Sequence, residues 1–211
     1  AYGATLHPCA PTIAAREARC AQVQAETGAT LVHPYTDPRV IAGQGTAALE
    51  LLAAVPTLDR LVAPVGGGGL IGGTAIAASA RAPGCQVIGA EPAGAAETFA
   101  SLQRGERVTE FTPDTVCDGL RGTLGAPNFA LLQRHGVRVL TATDTQVVAA
   151  MRLLWQRGKL LVEPSSAVAL AIVLAHPAEF AGKRVGIILS GGNVDLDALP
   201  ALFAPCAEEV P

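Results

Sequence analysis

The chain has 211 residues, half of them hydrophobic and 16% charged, with a formal net charge of −3 at pH 7. A chain of this size and composition folds around a substantial core, so extensive disorder is excluded. It has no lysine or arginine cluster and no apolar run of membrane-spanning length, so neither nucleic acid nor a membrane is an expected partner.

The first half of the chain alternates between segments of helical length and apolar runs of strand length. A helix is predicted over residues 11–28, which Thr12 can cap and Gly28 can end. A strand follows at 29–34, and then a long helix at 37–55 with Asp37 as N-cap and Pro38 in its first position. The next predicted elements are a strand at 59–65, a helix at 70–81, a strand at 85–92 and a short helix at 94–105.

Residues 109–128 have no clear periodicity and predict a long loop, which inside a compact domain is often functional. Beyond it we predict a strand at 137–143, a helix at 143–158 followed by the stop signal Gly158, a buried helix at 164–175 and a buried strand at 184–190. Continuous apolar strands alternating with helices predict an α/β fold, with a mostly parallel twisted sheet and helices on both faces.

The cysteines are scattered and form no CxxC pair, so they predict neither a disulfide framework nor a zinc site. They are Cys9, Cys20, Cys85, Cys117 and Cys206. Because the sequence also carries no signal peptide, we expect reduced thiols and a cytoplasmic protein.

The segment 64–73, PVGGGGLIGG, carries six glycines, four between the predicted strand 59–65 and the predicted helix 70–81 and two within that helix. The first N–H groups of a helix have no partner within it, and the helix dipole favours an anion there. Glycine also lets the backbone approach a ligand closely. Strand, glycine run and helix together predict a phosphate-binding loop.

Other interpretations of this glycine loop fit less well. A P-loop would end in Gly-Lys-Ser or Gly-Lys-Thr, whereas this run continues with Leu70 and Ile71. A dinucleotide-binding spacing can be drawn through Gly67, Gly69 and Gly72, with Glu91 as the acid after the next strand, but a glycine run produces such a match by chance. Tight packing of strand on helix without any ligand is a third possibility.

Several segments together resemble the fold-type II pyridoxal-phosphate enzymes, and most closely their threonine/serine dehydratase and serine racemase branch. They occur in the order and spacing of that family over nearly the whole chain. The segments are DPRVIAGQGTAALE, APVGGGGLIGG, GAEP, CDGLRGTLG, LLVEPSSAVALA and LSGGNVDL.

The resemblance implies that Gly66, Gly67, Gly68 and Gly69 hold the 5′-phosphate of pyridoxal 5′-phosphate. It also implies that Ser190 meets the pyridine nitrogen of that cofactor. A hydroxyl offers a neutral hydrogen bond, which leaves the ring a weaker electron sink and suits loss of a β-leaving group. Ser190 could instead, or in addition, cap a helix.

Further positions near the cofactor follow from the same resemblance. Tyr35 and Gly119 would line its pocket, Glu163 would lie beside it, and Arg16 would lie near the substrate. A simpler alternative exists for three of them. Tyr35 can be a packing residue, Glu163 can belong to an ordinary helix start before Pro164, and Arg16 can be an exposed helical arginine.

The resemblance also implies a divalent-cation site made by Glu91, the carbonyl of Ala95 and Glu97. Such oxygen ligands suit magnesium or calcium. The family usually has aspartate where Glu97 stands. Solvated acidic residues in a loop are the alternative.

The lysine that holds the cofactor's aldehyde in this family has no counterpart here, because neither Lys159 nor Lys183 stands in the family's lysine segment. That lysine and the serine-rich substrate loop are expected upstream of Ala1. Residues 1–34 would then be a remnant of the small domain and residues 35–211 the large cofactor-binding domain. Alone, the chain is expected to be inactive and to need its N-terminal segment.

The function that the resemblance implies is that of an L-threonine or L-serine ammonia-lyase. It would convert a small amino-acid substrate to a 2-oxo acid and ammonia by β-elimination, as a homodimer. Serine racemase and a 3-hydroxyaspartate-type dehydratase are alternatives from the same family. A non-catalytic protein that binds phosphorylated ligands is an alternative of another class.

Overall fold

The computed structural model describes residues 3–204, and the chain divides into two compact units, Ala1–His33 and Pro34–Pro211. The first unit contains helix α1 (Ile13–Thr27). The Thr12 hydroxyl accepts a hydrogen bond from the Ala15 N–H, and Gly28 ends the helix in a left-handed conformation. The predicted helix and both of its caps are therefore confirmed.

The predicted strand at 29–34 is wrong, because these residues adopt no regular structure. Leu31 and Val32 are exposed at 45% and 58%. A strand needs a neighbour to satisfy its N–H and C=O groups, and none pairs with this segment within the described part of the first unit.

The second unit is built from alternating helices and strands, so the predicted α/β fold is confirmed. Its elements in chain order are α2 (Pro38–Gln44), α3 (Thr46–Ala54), β1 (Arg60–Pro64), α4 (Gly69–Arg81), β2 (Gln86–Pro92), α5 (Glu97–Arg104), α6 (Ala126–Arg134), β3 (Arg138–Ala142), α7 (Asp144–Leu153), α8 (Pro164–Ala175), α9 (Pro177–Phe180), β4 (Val185–Ile187) and α10 (Leu199–Phe203).

The four strands form one parallel sheet in the order β3-β2-β1-β4. Two apolar cores cover it: α3, α4 and α6 contribute to one, and α7 and α8 contribute to the other. The buried faces of α7 and α8 carry fully enclosed side chains such as Met151 and Ile172. Helices on both faces explain why the strands read as continuous apolar runs in the sequence.

The predicted helix 37–55 is divided at Gly45 into α2 and α3. A Cβ atom on Gly45 would lie 2.8 Å from the Gly73 carbonyl oxygen, and one on Gly73 would lie 2.3 Å from the Ile41 carbonyl oxygen. The glycines at 45 and 73 are therefore required by the close crossing of α2 and α3 with α4.

Two other predictions in the second unit need correction. The predicted loop 109–128 gives way at Ala126 to helix α6, whose first turn contains Pro127. The predicted helix 143–158 ends as α7 at Leu153 and continues as a π-helical turn, Leu154–Gly158. The residue in the left-handed conformation is Lys159, with φ 55°, rather than Gly158.

The N-cap predicted for α7 is present, because Thr143 and Gln146 form a reciprocal capping box. The last predicted strand is shorter than expected, since only Val185–Ile187 pairs with the sheet. Across residues 3–204, no helix combines the length and the apolar character needed to cross a membrane.

Candidate cofactor site

The glycine loop connects the carboxyl end of β1 to the amino end of α4. The Val65 N–H donates to the Ala90 carbonyl at 2.9 Å, so the chain stays beside β2 until the loop begins. Gly68 then adopts a left-handed conformation, with φ 91°, and α4 starts at Gly69. No N–H group of residues 66–69 donates to an acceptor within residues 3–204. These donors, at the positive end of a helix, are available to an anion.

Close packing surrounds the same glycines. A Cβ atom on Gly67 would lie 2.3 Å from Cγ of Tyr35, and one on Gly68 would lie 2.5 Å from Cδ1 of Leu124. Packing within the chain therefore explains the absence of side chains at 67 and 68. The unused N–H groups are a separate observation, and they are the feature that a phosphate group requires.

Asn128, on α6, is a residue of this site that sequence reasoning missed. Its side-chain Nδ2 donates to the carbonyl oxygens of Gly67 at 2.6 Å and Tyr35 at 2.8 Å. The Gly125 N–H donates to the same Gly67 oxygen at 3.1 Å. The sequence offers only a weak signal, an asparagine directly after Pro127 where a helix begins.

Gly119 lies next to the glycine loop, in the short 3₁₀ turn Asp118–Leu120. Its N–H donates to the hydroxyl of Ser165 at 3.0 Å, which fixes the turn to the start of α8. A Cβ atom on Gly66 would lie 3.2 Å from the Gly119 carbonyl oxygen. The segment predicted as a functional loop therefore borders the glycine loop.

Glu163 and the segment after β4 are joined by several hydrogen bonds. The Glu163 N–H donates to the Gly191 carbonyl at 3.1 Å, and its carboxylate accepts the Asn193 N–H at 2.8 Å. The Ser190 N–H donates to the buried hydroxyl of Ser166 at 2.9 Å. Ser190 is exposed and no helix begins in residues 191–195, so the helix-cap interpretation of Ser190 is wrong.

The sheet topology brings the glycine loop and Ser190 to the same edge. β1 and β4 are parallel neighbours with Val62 opposite Ile187, and three residues further on the two chains reach Val65 and Ser190. Because β2 lies on one side of β1 and β4 on the other, this is a topological switch point, where α/β proteins bind ligands.

The remaining predicted cofactor residues lie around the same point. A Cβ atom on Gly119 would lie 3.9 Å from a carboxylate oxygen of Glu163, which links the Gly119 turn to the segment around Ser190. The half-buried Tyr35 ring packs on Gly67. That contact agrees with a packing role for Tyr35 and also places the ring beside the loop.

Glu91 and Glu97 form a buried acidic pair beside α5. The carboxylate of Glu91 accepts the N–H groups of Thr98 at 2.9 Å and Phe99 at 2.8 Å, and so caps that helix. The carboxylate of Glu97 accepts the Leu124 N–H at 2.7 Å. Burial raises the pKa of Glu91 to about 7 and also raises the pKa of Glu97.

This arrangement bears on two interpretations of Glu91. The Glu91 side chain is 1% exposed and its carboxylate faces the N–H groups of α5, so a ribose in solvent cannot reach it, which argues against the dinucleotide alternative. The alternative of solvated loop acids is wrong for Glu91 and Glu97, because both are buried.

The described residues include no group of three or more acidic, cysteine or histidine side chains placed to hold a metal. A cation site made by Glu91, Glu97 and the Ala95 carbonyl stays a prediction.

The two lysines and Arg16 have the following surroundings. Lys159 donates through Nζ to the Gln156 carbonyl at 2.7 Å, beside the π-helical turn. Lys183 precedes β4, whereas the glycine loop follows β1. Because β1 and β4 are parallel, Lys183 lies at the opposite edge of the sheet from the glycine loop. Arg16 is exposed on α1 in the first unit.

Comparison with known proteins gives one family for this chain. The sequence profile of the family described as "Pyridoxal-phosphate dependent enzyme" matches residues 1–191. A beta-hydroxyaspartate dehydratase of Paracoccus denitrificans (strain Pd 1222) is 49% identical over 199 residues, which cover 94% of this chain and 63% of the dehydratase.

Two solved structures extend the comparison. Maize serine racemase has a TM-score of 0.89 and 38% sequence identity, covering 97% of this chain and 64% of its own. A threonine deaminase from T.th. has a TM-score of 0.79 and 43% identity, covering 83% of this chain and 65% of its own. The chain thus spans a little under two thirds of the length of each of these relatives.

Proposed function

This chain belongs to the family of pyridoxal-phosphate dependent enzymes, and from that premise we propose that the intact protein carrying it is a dehydratase of β-hydroxy amino acids. It converts L-threonine or L-serine to a 2-oxo acid and ammonia by β-elimination. Two kinds of relative support a reaction of this class: a hydroxyaspartate dehydratase and a threonine deaminase.

The residues at the switch point suit the cofactor. The free N–H groups of Gly66–Gly69, at the positive end of α4, bind the phosphate dianion. The hydroxyl of Ser190 hydrogen-bonds the pyridine nitrogen, while Tyr35, Gly119 and Glu163 line the pocket. When bound, pyridoxal phosphate supplies the electron sink that stabilises negative charge at the substrate Cα.

The observation that carries the proposed reaction is the hydroxyl at position 190, beside the glycine loop. A serine accepts or donates one neutral hydrogen bond, whereas a carboxylate would hold the pyridine nitrogen protonated. The bond between the Ser190 N–H and Ser166 fixes the backbone from which this hydroxyl extends. A weaker electron sink favours substrates whose β-hydroxyl leaves readily, as in dehydration.

The lysine of the reaction is proposed to come from a part of the protein outside these 211 residues. Support comes from the chain's span of less than two thirds of its relatives and from the position of Lys183, at the sheet edge opposite the glycine loop. We further propose that the protein is a cytoplasmic homodimer. We also propose that a magnesium or calcium ion is held by Glu91, the Ala95 carbonyl and Glu97.

A second substrate is favoured by one observation. The 49% identity to a beta-hydroxyaspartate dehydratase makes a 3-hydroxyaspartate the second candidate. Its elimination would use the same cofactor residues of this chain, and only the groups that recognise the second carboxylate would differ.

The test is a product assay on the intact protein with L-threonine, L-serine and L-threo-3-hydroxyaspartate. We expect ammonia and a 2-oxo acid in equal amounts, and the substrate with the highest kcat/KM identifies the reaction. Inversion of L-serine to D-serine with little ammonia would identify a racemase instead. A protein that shows no cofactor absorbance and no imine reducible by borohydride would be non-catalytic.

A further inference from the structure

The carbonyl oxygen of Gly67 is held by two donors from the start of α6. Nδ2 of Asn128 lies 2.6 Å from it and the Gly125 N–H lies 3.1 Å from it. A carbonyl oxygen has two lone pairs, so both of its acceptor positions are used. The peptide group between Gly67 and Gly68 is therefore fixed in orientation.

The fixed carbonyl determines where the Gly68 N–H points. In a trans peptide the C=O and N–H groups point in opposite directions, and the described chain contains no cis peptide bond. Because Asn128 lies on the carbonyl side, the Gly68 N–H is directed away from α6. That N–H has no acceptor within residues 3–204 and stands just before the first residue of α4.

Asn128 also joins the loop to a second segment, because the same Nδ2 atom lies 2.8 Å from the Tyr35 carbonyl oxygen. The residue is fully buried, and its Oδ1 atom has no hydrogen-bond partner among the described residues. An unpaired buried acceptor destabilises a protein. This side chain is therefore poorly suited to stability alone and well suited to orienting two carbonyl groups.

We propose that Asn128 is a positioning residue, which directs the backbone N–H group of Gly68 toward the cofactor phosphate. The inference rests on the proposed phosphate role of the glycine loop and adds to it a side chain that never touches the cofactor. Replacing Asn128 lets the Gly67–Gly68 peptide rotate, which weakens binding of the phosphate group specifically.

The experiment compares two ligands, pyridoxal 5′-phosphate and pyridoxal, which lacks the phosphate. Dissociation constants are measured for the intact wild-type protein and for the Asn128→Leu and Asn128→Ala variants. We expect about 10- to 100-fold weaker binding of pyridoxal phosphate, the loss typical of a charge-assisted hydrogen bond, and less than about a threefold change for pyridoxal.

A matched control is Thr74→Val on α4. Thr74 is also fully buried and its hydroxyl has no partner among residues 3–204, so this variant removes a buried polar group without touching the loop. We expect both affinities of Thr74→Val to stay within about twofold of wild type. Melting temperatures without ligand check that each variant is folded. Asn128→Ala provides the second test if leucine does not fit.

The outcomes separate the inference from the proposed function. Equal losses for pyridoxal phosphate and pyridoxal, or no loss for either, would overturn the positioning role of Asn128. If wild-type protein itself showed no preference for pyridoxal phosphate over pyridoxal, the proposed phosphate site in the glycine loop would fail. Weaker binding of pyridoxal phosphate but not of pyridoxal in the Asn128 variants supports both the positioning role of Asn128 and the phosphate site in the glycine loop.

Discussion

Substitution of Gly68 by alanine is the most direct test of the structure of the glycine loop. Gly68 has φ 91°, and an alanine Cβ would lie 2.5 Å from Cδ1 of Leu124 and 2.8 Å from Cβ of Asn128. The left-handed conformation costs a non-glycine residue about 1–2 kcal/mol. Overpacking against two fully buried side chains adds about 1–3 kcal/mol.

The conformational entropy of the unfolded chain makes a smaller contribution of opposite sign. Alanine restricts the unfolded chain more than glycine does, which stabilises the protein by about 0.4–1 kcal/mol. The expected net effect of Gly68→Ala is a decrease of about 1–5 kcal/mol in the free energy of unfolding, compared with the roughly 5–15 kcal/mol typical of a domain.

The assay is urea unfolding of the intact protein, followed by circular dichroism, with Gly43→Ala as the control. Gly43 lies in α2 with no atom near its Cβ position, so alanine there is expected to increase the free energy of unfolding by about 0.5–1 kcal/mol. A decrease of less than about 1 kcal/mol for Gly68→Ala would show that the packing of Leu124 against Gly68 is not as described.

Three further outcomes are expected. Because the pKa of Glu91 is raised to about 7 by burial, its protonated form is favoured by folding, and the melting temperature measured with a chelator falls as pH rises from about 4.5 to about 7. Glu91→Gln reduces that slope and leaves the part due to Glu97, whose pKa is also raised, and an unchanged slope in the variant would contradict the assignment. Ser166→Ala leaves the Ser190 N–H without its acceptor and weakens cofactor binding by about 3- to 10-fold in an absorbance titration; unchanged affinity would argue against a role for this contact. Calcium or magnesium raises the melting temperature relative to chelator if Glu91 and Glu97 bind a cation, and identical curves would exclude such a site.

Much of the second unit was predictable because its elements carry strong local signals. The strands at 60–64 and 86–92 are short apolar runs, and helices such as α7 begin at recognisable caps. The glycine loop lies between a strand and a helix, as predicted, and this local pattern is the basis of the phosphate-site prediction. These features depend on residues close together in the chain, so the sequence displays them directly.

The sequence-based predictions failed where the local structure depends on residues far away in the chain. Residues 29–34 have the composition of a strand but no neighbouring strand to pair with among the described residues. The division at Gly45 reflects contact with Gly73 on another helix. Asn128 acts on carbonyl groups 61 and 93 positions away in the chain, and an asparagine near a helix start is only a weak signal of such contacts.

The contact between Gly67 and the ring of Tyr35 constrains how sequences of this family can change over time. An alanine at 67 would place its Cβ inside the space of that ring, so it becomes tolerable only in a lineage that has first exchanged tyrosine 35 for a smaller residue. The two positions should therefore covary, with the change at 35 as the permissive step and the change at 67 as the dependent one.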